Sequence, residues 1–119
     1  MRYAIELYFQ MIYHVATVSE WEAYHGQDVY APRTFEKEGF IHNCHLHQLE
    51  GVLQRYFQNR NDVMLLLIDE QKLVSPLKHE PGTNNELFPH IYGKINKSAI
   101  KEIVHGRENF SRLEETPLD

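Results

Sequence analysis

An α+β domain built mostly on antiparallel sheet is what the sequence predicts, from three observations. Stretches rich in β-favouring residues outnumber helical stretches about two to one. Only one long stretch carries apolar residues at helical spacing, through Leu46, Leu49, Val52, Leu53, Tyr56 and Phe57. And 119 residues suffice for one ordinary domain with a single core, which needs no metal merely to hold it together.

The elements follow in order. Residues 1–10, "MRYAIELYFQ", read either as an extra edge strand or as the remnant of an engineered protease-recognition sequence ending in "LYFQ". The second reading makes Met11 the natural start, and the domain is expected to run over 11–106. Ile12 to Ala16 is a β-rich run, expected as a central strand carrying His14. Ser19 followed by Glu22 forms a capping-box pattern, and Gly26 supplies a left-handed stop, so a short helix is expected over Glu20 to His25 with Trp21 and Tyr24 facing inward. "APRTFEKEG" reads as loop, delivering the chain into "GFIHN". Alternation in that short strand places Phe40 and His42 on one side, joined by Cys44 if the strand continues.

The amphipathic helix comes next, weakened by Gly51, with His45 and His47 in its first turn. "VMLLLID" is the most apolar segment and predicts a buried strand ending in an Asp-initiated turn through Leu73. "PLKHE" predicts another strand and "PGTNNE" a hairpin or lid loop. Pro89 bars a regular central strand at its position, which suggests an entry kink before a strand over His90 to Ile95. A turn at Lys97 to Ala99 and a last strand, Ile100 to His105, close the domain, and residues 107–119 read as a loosely held polar tail.

Composition limits the partners. Seventeen acidic against twelve basic residues give a net charge of −5, so no positive field attracts a nucleic-acid backbone, and nonspecific nucleic-acid binding is not expected. Protonation of all eight histidines would carry the charge to about +3. No run approaches the roughly 18 apolar residues of a membrane span. One cysteine makes no internal disulfide, and Glu6 and Gln10 interrupt any leader-like start, so a cytoplasmic location is expected.

The densest chemistry lies in "HNCHLH", His42 to His47. A zinc site on His42, Cys44, His45 and His47 would need those side chains to converge at about 2.0 to 2.3 Å from the ion. Strand alternation favours His42 with Cys44, but His45 and His47 follow a strand-to-helix break and point elsewhere, so no metal is expected. Cys44 as a nucleophile lacks a local partner. His14, His42 and His90 differ, each being embedded among apolar and aromatic neighbours, and three such residues in one small domain point to a shared site.

The segments "MIYHVATVSEWEAY", "EKEGFIHNC", "LLLIDEQKL" and "KHEPGTNNELFPHIYG" resemble, in order and with natural spacing over about Met11 to Val104, the signatures of the domain of unknown function 952 family. Cys44 departs from the pattern, which usually has Ser there. That family is grouped by similarity with the ADP-ribosyltransferase fold, a split antiparallel β-sandwich with two or three short helices that clasps NAD in a cleft. The resemblance implies His14 on an NAD ribose, His42 against the nicotinamide and His90 at the third position. Glu80 or Glu86 remains an alternative for that third position, since transferases of this fold often use Glu there. Tyr92 is implied as a stacking surface, Arg33 beside Thr34 as the pyrophosphate contact, and Cys44 as a further neighbour of the cofactor.

Two functions follow as expectations. One is an NAD-using transferase or glycohydrolase acting on a small molecule, an RNA end or a protein. The other is a non-catalytic module holding a nucleotide or small metabolite in the same cleft.

Overall fold

The computed structural model describes residues 11–113. Both readings of residues 1–10 therefore lie outside the described residues, as does the tail beyond position 113. Among the described residues the sequence's α+β, antiparallel expectation holds.

One sheet has the order β1-β4-β8, formed by β1 (Met11–Thr17), β4 (Val63–Asp69) and β8 (Ile100–His105). A second has the order β3-β6-β5, from β3 (Ile41–His42), β6 (Leu87–Ile91) and β5 (Leu77–Pro81). A short pair joins β2 (Val29–Tyr30) to β7 (Ile95–Asn96), and every pairing is antiparallel. Tyr13 and Cys44 exchange two backbone bonds of 2.8 Å, which stitch the outer edge of β1 to the chain just after β3.

The strand carrying His14 is thus an edge of its sheet, where a central strand was expected; β4 takes the centre. The reason lies in side-chain chemistry, since Val63 to Ile68 are apolar without interruption and buried on both faces. Val63, Leu65 and Leu67 pack with Tyr13 and Val15 against Leu49, Leu53 and Phe110. Met64, Leu66 and Ile68 pack with Ile12 and Ala16 against Tyr30, Ile41, Ile91 and Ile95. Each fully buried Leu or Ile contributes about 1.5–3 kcal/mol of hydrophobic stabilisation.

The first helix, α1 (Val18–Glu22), begins two residues earlier than expected. Two Ser/Thr-x-x-Glu patterns overlap here, and the one on Thr17 wins because Thr17 directly ends β1. Its hydroxyl accepts from the Glu20 N–H at 3.2 Å, and its own N–H donates to Glu20 Oε1 at 3.2 Å. Trp21 and Tyr24 face inward as expected, with ring centres 5.4 and 5.9 Å from that of Tyr30.

The expected loop before β3 contains a single helical turn, α2 (Phe35–Glu38), closed by Gly39 at a left-handed φ of 81°. The amphipathic stretch forms a 3₁₀ turn, Leu46–Gln48, leading into α3 (Leu49–Tyr56). Asp69 accepts from the Gln71 N–H at 3.0 Å, starting the turn that ends at Leu73.

Pro89 sits inside β6, the middle strand of its sheet, contrary to the expected kink. It is tolerated because β3 has ended opposite it: the Pro89 carbonyl accepts from the Asn43 N–H at 3.1 Å and from Asn43 Nδ2 at 3.2 Å. A side-chain amide thereby ties down the place where the ladder lacks a donor. The strand stops at Ile91, short of the expected Ile95. Gly93, at φ 154°, turns the chain over Ser75, where a Cβ would lie 2.3 Å from the hydroxyl.

Lys97–Ala99 and Ile100–His105 form the turn and strand the sequence predicts. Beyond them Arg107–Leu113 is a docked 3₁₀ helix, where a loose tail was expected. Phe110 is buried, and the Arg107 guanidinium donates to the carbonyls of Phe57 and Arg60. Among the described residues no helix is long and apolar enough to cross a membrane.

Candidate functional site

The β3-β6-β5 sheet packs Ile41 and Ile91 into one core cluster and, on its other face, Phe88 into the other, leaving that second face exposed only in part. Ile41 and Ile91 pair directly and turn inward, so the residues alternating with them turn to the second face. His42 lies opposite His90, and His90 lies opposite Lys78 on the other side. Glu80, two residues after Lys78, shares that face, as does Tyr92, two after His90.

These side chains touch. Phe40 lies 4.4 Å from His90, 4.8 Å from His42 and 5.4 Å from Tyr92, centre to centre, and the two imidazoles are 5.2 Å apart. Glu80 Oε1 accepts from His90 Nδ1 at 2.7 Å and from the Tyr92 hydroxyl at 2.6 Å. Because a carboxylate only accepts, Nδ1 carries the hydrogen, and in the neutral ring Nε2 keeps its lone pair. The Tyr92 and His90 bonds hold the Glu80 carboxyl below the usual range, and the Glu80 bond pushes the Tyr92 phenol up. Both bonds fall on Oε1, so Oε2 has no partner among the described residues. His42, whose side chain is 57% exposed, bonds Glu38 through Nε2 at 3.0 Å. It is thus far more open than its strand position suggested.

His14 is placed differently. Only 4% of it is exposed, and its ring bonds from β1 to the backbone of β3. Nδ1 donates to the His42 carbonyl at 2.7 Å, leaving Nε2 to accept from the Tyr30 hydroxyl at 3.1 Å. Burial lowers the His14 pKa, offset in part by that carbonyl. His42 and His90 therefore meet ring to ring, whereas His14 reaches them only through the His42 backbone, with both nitrogens engaged.

The remaining expected residues separate as clearly. Arg33 is held by α1, its N–H donating to Glu20 Oε2 at 3.0 Å and its guanidinium to Ser19 Oγ at 2.8 Å. Thr34 precedes α2, exposed and without a side-chain cap bond. Cys44 is sealed in the core at 2% exposure, and burial pushes its thiol up to about 12, which disfavours the thiolate that a nucleophile needs. Of the two candidate glutamates, Glu86 accepts from Gln48 Nε2 at 3.0 Å near the start of α3, and Glu80 alone joins the cluster.

His45 and His47 lie apart from His42, with His45 stacked between His47 at 5.9 Å and His79 at 5.4 Å. Among the described residues no three His, Cys, Asp or Glu side chains are arranged to hold a metal. Phe40, Glu38 and Lys78 are the neighbours that sequence reasoning left out of the site. Alternation with His42 marks Phe40, and the Lys-x-Glu spacing marks Lys78 as a companion of Glu80. Cavities of about 480 and 370 Å³ lie elsewhere, one between α3 and the Arg107–Leu113 turn, the other beside Trp21 and Lys97. The histidine cluster is no enclosed cavity: His42 is open to solvent, whereas His90 is only 7% exposed.

The family model described as "Protein of unknown function (DUF952)" matches residues 15–103. No curated protein matches the chain. Among solved structures, the X-ray structure of protein CC0527 from Caulobacter crescentus, a structural-genomics target, is similar with a TM-score of 0.72 at 24% identity, covering 79% of this chain and 83% of that one. The solution NMR structure of the same protein gives a TM-score of 0.68 at 24% identity, covering 80% and 83%. At this identity the likeness is one of fold.

Proposed function

The chain belongs to the family of proteins of unknown function DUF952, and from that premise we propose that the partly exposed face of the β3-β6-β5 sheet binds a nucleotide of the NAD type and cleaves its nicotinamide glycosidic bond. One observation carries the reading: an ionised Glu80 with one free oxygen stands among four rings, Phe40, His42, His90 and Tyr92. The strand order supports it too. The His42 strand pairs with the His90 strand, as the implied nicotinamide and third positions require, and the His14 strand adjoins it at Tyr13–Cys44.

Each residue has work suited to its chemistry. Phe40 and His42 offer flat surfaces to the nicotinamide. Glu80 Oε2 accepts from a ribose hydroxyl, and its charge stabilises the oxocarbenium-like state as the C1′–N bond breaks. The bonding pair leaves with the nicotinamide nitrogen, which becomes neutral. A water or other hydroxyl forms the new C1′–O bond and passes its proton to His90 Nε2, whose orientation Glu80 maintains. His14 is a positioning residue, fixing the β3 backbone through the His42 carbonyl.

A second reading, binding without turnover, is favoured by the engagement of both His14 nitrogens, which leaves that ring none for a ribose. Thermal-shift titration with NAD and assay of released nicotinamide separate the two. Wild type should melt higher in millimolar NAD and release nicotinamide, while Glu80→Gln should bind and release it about 100-fold more slowly. Absence of any shift would sink both readings; a shift without nicotinamide anywhere from pH 5 to 8 would leave only the binding module.

A further inference from the structure

We infer that Lys78, not Arg33, holds the phosphate of the ligand, so that the site is selective for phosphorylated nucleotides over free nucleosides and orients them from β3 toward β5. This rests on the nucleotide reading above. A phosphate-bearing ligand on a face that already carries Glu38 and Glu80 needs a cation there, and a chain of net charge −5 supplies none by its overall field. Arg33 lies instead beside α1, its backbone N–H on Glu20 and its guanidinium on Ser19, and among the described residues it makes no hydrogen bond or ion pair with the rings or the carboxylate of this face.

Lys78 meets the requirement by three independent measures. It stands directly opposite His90 in the β5–β6 register. Its ammonium lies 4.8 Å from the centre of the Tyr92 ring, the ring that also binds Glu80. And it is close enough to Glu80 to contribute to that carboxylate's acidity. Yet among the described residues it forms no ion pair, so its charge is held in place by an aromatic surface and remains open to an anion.

The geometry also sets a direction. Phe40 and His42 lie at or just before β3, Glu80 and Lys78 lie on β5, and β6 with His90 runs between them. Two strand spacings, about 10 Å, separate β3 from β5, and the Glu80 carboxylate reaches from β5 to His90 on the strand between them. A base at Phe40 and His42, a ribose at Glu80 and a phosphate at Lys78 follow the order of groups in a nucleotide.

Isothermal titration of the whole chain with NAD and with phosphate-free nicotinamide riboside tests this, using wild type, Lys78→Met, Lys78→Arg and Arg33→Met. Lys78→Met should weaken NAD about tenfold and flatten its salt dependence, the scale of one charge-assisted hydrogen bond, while changing nicotinamide riboside less than twofold. Lys78→Arg should retain NAD binding, and Arg33→Met should leave both ligands within twofold of wild type. Lys78 is exposed, so an unchanged melting temperature confirms that each variant is folded. If wild type binds NAD and Lys78→Met binds it equally well, or loses both ligands alike, the assignment is overturned while the nucleotide reading stands. If wild type binds neither ligand, the reading falls and the assignment with it.

Discussion

The two three-stranded sheets of this protein solve different problems with similar backbones. In the β1-β4-β8 sheet the middle strand is buried on both faces, and its side chains alternate between two apolar clusters. In the β3-β6-β5 sheet, Ile41 and Ile91 serve the second cluster, while the opposite face gives Phe88 to the first cluster and otherwise carries a carboxylate, two imidazoles, a phenol and an ammonium group. Burial on both faces leaves no room for ionised groups, whose desolvation would cost several kcal/mol each. A face packed only in part, with Lys78 exposed and Glu80 half-buried, can hold them. The histidines make the same contrast: His14, on the first sheet, spends both nitrogens inside the protein, whereas His90, though nearly as buried, spends Nδ1 on Glu80 and has no partner at Nε2 among the described residues.

The largest test of this contrast is Leu66→Ala on β4, which removes a fully buried side chain from the cluster shared by the two sheets. Urea unfolding should show a loss of about 2–5 kcal/mol. A loss below about 1 kcal/mol would break the claim that this sheet carries the stability.

A smaller effect comes from His14 and depends on pH. Its pKa is lowered in the folded state, so between the unfolded value near 6.5 and the lower folded value the unfolded chain binds more protons. Stability from this group is complete above about pH 6.5 and falls as the pH drops through that window, by up to about 1.4 kcal/mol per unit. His14→Gln cannot titrate, and its stability should fall less steeply between pH 7 and 5. Parallel slopes for the two proteins would remove His14 from the account.

Smallest of all is His42→Ala on the partly exposed face. With its side chain more than half exposed and its Glu38 pair at the surface, unfolding free energy should change by about 0.5 kcal/mol or less. NAD binding should nevertheless suffer. Stability lost in proportion to Leu66→Ala would mean that this face is structural after all.

Much of the fold was legible because its signals are local. The unbroken apolar run of β4, the Asp69 turn, the Lys97–Ala99 turn and the strand after it all appear where neighbouring residues place them. A shared site for His14, His42 and His90 was expected from their apolar and aromatic surroundings, and of the three only His42 and His90 meet ring to ring. Other features were not legible. Thr17 and Ser19 offer equivalent caps, and only the end of β1 chooses between them. Glu80 and Glu86 both lie in "HEPGTNNE", yet one faces His90 and the other Gln48. Arg33 reads as a neighbour of the site until its bond to Ser19 places it beside α1.

From the sequence alone came the elements, their class and the residue types that the site employs, because periodicity, caps and turn chemistry act between near neighbours. Only the tertiary structure decided which strand is central, why Pro89 is tolerated within a sheet, and which histidine is sealed and which is open. Those outcomes rest on bonds between distant residues, His14 to His42 across 28 positions and Asn43 to Pro89 across 46. No local pattern encodes such a partner, since it is folding that brings the donor and the acceptor together.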